Sequence, residues 1–152
     1  MKLLDYLTAD TVLTNLKATD KKGLIDELSL PAAEIANIDH RTIANVLIER
    51  EMLGSTGIGD GIGIPHGKVA GLDRLIVGFG LSRHGVDFDT MDGKPAYLFF
   101  LLLSPDDSTG LHLMLLARIS KLLKDPKFKK NLKAATDQDA VMRIIAEADS
   151  DS

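Results

Sequence analysis

Two hydrophobic periods share this chain. From Lys21, the residues Leu24, Ile25 and Leu28 recur at helical spacing, with Asp20 placed to cap the helix. Pro31 is expected to interrupt or kink it, with Ala32 to Asn37 resuming the pattern. Asp39 can cap a second helix through Glu51, with Ile43, Val46, Leu47 and Arg50 on one side and Gly54 at its end. The period then changes. Leu75 to Leu81 reads as a strand whose two glycines ask for a close neighbour or a bulge. Tyr97 to Leu103, YLFFLLL, is apolar throughout, as a central strand buried on both faces would be. The segment between them, HGVDFDTMDGKP, predicts a short edge strand or a surface loop. Candidate caps crowd Ser104 to Thr109. A long helix follows to about Lys124, marked by Leu111, Leu115, Ile119 and Leu122. Pro126 opens a short helix to about Ala134, and Thr136 or Asp137 caps a last one with Val141, Ile144 and Ile145 inward. Strands with helices before and after them predict an α/β (α+β) sandwich, a mixed sheet of about four to five strands flanked by helices on both faces.

Composition narrows the function classes. The 152 residues suit a single domain, with no repeat or low-complexity linker. The net charge of -4 and the absence of a basic stripe argue against nucleic acid. The densest basic cluster, KLLKDPKFKKNLK, reads as solvated helix faces. No apolar run reaches the length of a membrane span, and an aspartate at residue 5 argues against a secretory leader. The chain has no cysteine, which excludes disulfides, thiolate metal sites and a cysteine nucleophile, and fits a cytoplasmic location.

The stretch from Gly54 to Gly67, GSTGIGDGIGIPHG, holds six of the 13 glycines. It matches neither the phosphate-binding G-x-x-x-x-G-K-[ST] loop nor the dinucleotide G-x-G-x-x-G turn, and H-E-x-x-H is absent. The four histidines, His40, His66, His84 and His112, share no short metal-ligand spacing. Ile58, Ile62 and Ile64 are expected to anchor the loop in the core. Asp60 reads as a turn residue. Pro65 fixes its own φ and keeps Ile64 extended, so His66 arrives on a rigid lead-in. Gly67 is expected to leave open space beside the ring. By spacing alone, His66 is either a structural histidine bonded to backbone or a chemical one.

The run GSTGIGDGIGIPHGKV resembles the active-site segment of the IIA domains of the bacterial phosphoenolpyruvate-dependent phosphotransferase system (PTS), in the fructose/mannitol class. LIERE before it, and RLIVGFGLSR, VDFDTMDGKP, YLFFLLLSP and LHLMLLARISKLLKD after it, are similar to that family in order and spacing. The resemblance covers about residues 3 to 148 and is greatest to the nitrogen-regulatory branch. It implies a phosphotransferase in which His66 accepts a phosphoryl group on Nε2 from an HPr- or NPr-like phosphocarrier, the group coming ultimately from phosphoenolpyruvate with no bound cofactor or metal. The other ring nitrogen would be fixed by a hydrogen bond, with a backbone carbonyl of the glycine-rich loop as the expected partner. His112, at the start of a helix, falls where the family has a second histidine supporting the phosphoryl group. Arg50 matches an arginine that can hold phosphate with two parallel donors; otherwise it pairs with Glu49 or Glu51. Thr56 either donates its hydroxyl to the same group or closes the turn. Lys68 reads as an exposed lysine that can add electrostatic support.

The resemblance implies a choice of outputs. The wording of the motif favours a regulatory role on target proteins. The alternative is a IIA component that feeds a fructose/mannitol-type sugar transporter through a separate IIB protein. More distant readings are an interaction module without chemistry and a metal-dependent hydrolase using His66 and His112.

Overall fold

In the computed structural model, which describes residues 1–150, the uniformly apolar segment becomes the central strand. Numbered in chain order, it is β6 (Ala96–Pro105). Leu98, Phe100 and Leu102 enter one core, while Phe99, Leu101 and Leu103 enter a second core on the other side of the sheet. Two buried faces are why the segment shows no polar alternation. Beside it lies β5 (Ile76–Val86), antiparallel, and beyond that β1 (Leu7–Leu13), parallel to β5. On the opposite edge of β6, two short segments run in line and parallel to it. β3 (Ile62–Gly63) pairs with Leu98 and Phe99, and β4 (His66–Val69) pairs with Leu102 to Pro105. β2 (Gly57–Gly59) adds an antiparallel edge to β3.

Helices cover both faces of this mixed six-stranded sheet. α1 (Lys21–Ala36) and α2 (His40–Met52) bury Leu24, Ile25, Leu28, Ile43 and Leu47 on one side. On the other side, α3 (Thr109–Leu122), α4 (Pro126–Ala134) and α5 (Gln138–Asp149) bury Leu115, Ile119, Phe128, Leu132, Val141 and Ile145. Asp20, Asp39, Asp125 and Asp137 each accept a first-turn N–H, at 2.7–3.2 Å. The long α3 starts at Ser108 without a side-chain cap.

The sheet has six strands where about four to five are expected, and outside the glycine-rich stretch the sequence expectation differs from this fold in three places. α1 runs through Pro31 without a break, because Leu28 and Ala32 on either side of it are both buried against the sheet. β1 has no counterpart in the periodicity: its register shifts between Leu7 and Val12, which breaks the alternation. β5 continues past Leu81 to Val86, so the start of the expected edge segment is part of an inner strand. The paired glycines of β5 do mark a close neighbour, since a Cβ on Gly80 would lie 2.7 Å from Leu16.

Candidate active site at the histidine loop

The glycine-rich stretch folds as a tight β2–β3 hairpin. Asp60 and Gly61 form its two-residue turn, with φ of 58° and 78°, the left-handed pair that an Asp-Gly hairpin turn requires. Asp60 is thus a turn residue, its N–H held by Asp92 Oδ2 at 2.9 Å. The period of two sends Gly57 and Gly59 inward and Ile58 outward, where it is 45% exposed. Ile58 is therefore not a core anchor, whereas Ile62 and Ile64 are buried.

Pro65 separates β3 from β4 because it has no N–H for the ladder, while its carbonyl still accepts the Leu102 N–H at 3.1 Å. His66 opens β4 with its ring folded back on the loop. Nδ1 lies 2.7 Å from the Ile64 carbonyl oxygen. A carbonyl only accepts, so Nδ1 carries the proton and Nε2 presents its lone pair. Burial lowers the His66 pKa from 6.5 and Arg50 lowers it further, against the Ile64 carbonyl and Glu51, which raise it. The ring is neutral near pH 7.

His112 comes from the first turn of α3, 6% exposed, with its ring centroid 5.5 Å from that of His66. Its Nδ1 lies 2.5 Å from Ser104 Oγ, at the end of β6. Burial, then His66 and Lys68, lower its pKa to about 4, so this ring is also uncharged. Arg50, in the last turn of α2, donates from Nη1 to the Gly54 carbonyl at 2.9 Å. It does not pair with Glu51, whose carboxylate is taken by Lys21 and Thr56.

His66, His112 and Arg50 line one open cavity of about 600 Å³, with Lys68, Thr109 and Leu113 on its rim. Lys68 Nζ donates to Thr109 Oγ1 at 2.6 Å, bridging β4 to the start of α3. Thr56 does not line this cavity. It is buried, with its hydroxyl and its N–H both donated to the Glu51 carboxylate, so it closes the turn. Gly67 does not leave open space: a Cβ there would lie 2.8 Å from Val46 Cγ1, and the missing side chain is what lets α2 approach β4. A larger cavity of about 800 Å³ opens between α1 and α2, and no histidine lines it. Among the described residues, no group of three or more His, Asp or Glu side chains is arranged to hold a metal ion.

Two residues of the site, Ser104 and Glu51, escape the sequence reading. Ser104 sits among several equivalent cap candidates, and Glu51 lies in a charged LIERE run that reads as helix surface.

Residues 5–148 match the family model described as phosphoenolpyruvate-dependent sugar phosphotransferase system, EIIA 2. The chain belongs to this family. Among EIIA relatives, it is 38% identical over 146 residues to a nitrogen regulatory protein of Bradyrhizobium diazoefficiens, covering 96% of this chain and 95% of that one. It is 35% identical to a fructose-specific EIIABC component of Bacillus subtilis, covering 98% of this chain but 24% of that larger protein. The fold superposes on the nitrogen regulatory protein IIA-Ntr of Neisseria meningitidis with a TM-score of 0.88 at 32% identity, covering 93% and 97% of the two chains. The mixed sheet between two helical layers is thus the EIIA architecture. Among the described residues of this EIIA chain, no helix is long and apolar enough to cross a membrane.

Proposed function

We propose that this EIIA protein carries a phosphoryl group on Nε2 of His66, received from a phosphohistidine on an HPr- or NPr-like carrier. The observation that supports this most is the 2.7 Å bond from Nδ1–H to the Ile64 carbonyl, which turns the lone pair of a neutral ring toward an open cavity. In the transfer, the Nε2 lone pair forms a bond to phosphorus as the donor nitrogen–phosphorus bond breaks, and the bonding pair returns to the donor ring. His66 keeps its Nδ1 proton throughout. Charge spreads over three phosphoryl oxygens in such a transfer, and positioned donors stabilise it. Arg50 offers a two-pronged guanidinium. His112 offers an Nε2–H when Ser104 donates to its Nδ1. The start of α3 adds backbone N–H groups that favour an anion. The protein is then a cytoplasmic phosphotransferase that draws on phosphoenolpyruvate through its carrier and needs no bound cofactor or metal.

The 38% identity to a nitrogen regulatory protein favours a regulatory output, in which the phosphorylation state of His66 changes a docking face for target proteins. The 35% identity to a fructose-specific component supports a second reading, transfer to a separate IIB protein. Incubation with radiolabelled phosphoenolpyruvate, the general PTS enzyme and the carrier should label the chain, and His66→Ala should abolish the label. Label that persists in this variant refutes the assignment. Adding a fructose-type IIB to the labelled protein separates the outputs, because rapid loss of label selects transport.

A further inference from the structure

Glu51 is an unusual residue for its place. It lies in the last turn of α2, where the helix dipole disfavours an anion, and it is only 7% exposed. Burial of a carboxylate is costly unless its oxygens are bonded. Here both are. Oε1 accepts the Thr56 N–H at 3.0 Å and meets Lys21 Nζ at 3.1 Å, and Oε2 accepts the Thr56 hydroxyl. Thr56 is thereby gripped at two points. Its own carbonyl accepts the Ile64 N–H at 3.0 Å, and the Ile64 carbonyl accepts His66 Nδ1–H at 2.7 Å.

We propose that Glu51 is a positioning residue for phosphoryl transfer, setting the tautomer and direction of the His66 ring through Thr56 and Ile64. The proposal rests on the reading of His66 as the phosphoryl acceptor and adds the group that holds it in place. No covalent step involves Glu51. The carboxylate clamps the base of the hairpin to the end of α2. The carbonyl that selects the Nδ1–H tautomer therefore stays fixed relative to Arg50, one residue away on the same helix. Its charge has a second effect. A ring that keeps Nδ1–H and gains phosphorus on Nε2 becomes cationic, and Glu51 offsets the opposing field of Arg50 at that ring. The Lys21 ammonium faces the carboxylate from the α1 side.

The test uses the whole protein with ¹⁵N-labelled histidine. Ring ¹⁵N shifts report the His66 tautomer before any phosphorylation, and single-turnover transfer from phosphorylated carrier reports the rate. In wild type the Nδ1–H tautomer should dominate. In Glu51→Ala the ring should populate both tautomers and the rate should fall about tenfold to a hundredfold, as expected for a displaced reacting group. Glu51→Gln, which still accepts from Thr56 N–H, should restore the tautomer and most of the rate. If Glu51→Ala does not fold, Glu51→Met fills the same space without an acceptor and takes its place. A folded variant without the acceptor, but with wild-type tautomer and rate, overturns the proposal, whatever its melting temperature. The outcomes separate the two claims. Wild type that never labels at His66 removes the acceptor reading and leaves the tautomer result standing. Normal labelling with an unchanged ring removes only the role of Glu51.

Discussion

The His112 imidazole is buried, with Ser104 at its Nδ1 and His66 and Lys68 as neighbours that oppose a positive charge. Its pKa falls from 6.5 to about 4, so the unfolded chain binds the proton more readily than the folded one. The stability tied to this group is complete above pH 6.5 and is lost as pH falls toward 4. At about 1.4 kcal/mol per pH unit, the loss from pH 6.5 to 5 is ~2 kcal/mol. Urea unfolding at pH 7 and pH 5 should show this drop in wild type and a smaller one in His112→Gln, and equal drops would contradict it. The neighbouring ring gives an opposite-signed check. Arg50 lowers the His66 pKa, so Arg50→Gln should raise the midpoint of the His66 ring titration followed by NMR, and the acid loss of phosphoryl acceptance should move to higher pH with it. Spacing alone leaves His66 open between a structural and a chemical role, and it is the family resemblance that singles out His66, His112 and Arg50 together. Glu51 is not legible in the sequence. Its neighbours Glu49 and Arg50 disguise it as surface, and only the return of the chain at Thr56 shows which way it points.

Between residues and the whole fold, α2 and β4 decide the width of the site, since one carries Arg50 and the other His66. They touch where Gly67 has no side chain. Gly67→Ala puts a Cβ 2.8 Å from Val46 Cγ1, and the branched valine on a packed helix has little room to turn away. The variant should lose about 1–3 kcal/mol of stability, the usual cost of an added methyl in a packed contact. It should also transfer phosphoryl more slowly because Arg50 moves off the ring. Equilibrium unfolding and single-turnover labelling at a temperature where the variant is folded check the two effects separately. A stability loss with unchanged transfer would show that the helix yields elsewhere. The helices and the two long strands could be read from the sequence, since their periods persist over many residues. β2, β3 and β4 could not, being two to four residues long and rich in glycine, which leaves no alternation to count. What reads as a site loop is the edge of the sheet.

At the scale of the molecule, the sheet separates two cores, and the α3–α5 side is closed by a single buried acid. Asp149, at the end of α5, accepts Leu3 N–H at 2.7 Å and Arg118 Nε at 2.6 Å. It joins the first turn of the chain, the middle of α3 and the last helix. Removing one partner of a buried ion pair costs about 3–5 kcal/mol because the other charge is left unpaired. Arg118 is 15% exposed and can recover some hydration, so Asp149→Ala should cost about 2–4 kcal/mol. The supports of His66 lie elsewhere: Ile64 and Arg50 come from the hairpin and α2, and His112 from the opposite end of α3 relative to its C-terminus. The folded fraction of Asp149→Ala should therefore accept phosphoryl from the carrier at the wild-type single-turnover rate, while its urea midpoint falls. A rate that falls together with the midpoint would mean that α3 transmits the loss of the clasp to His112. The two cores could not then be treated as independent of the site at their edge.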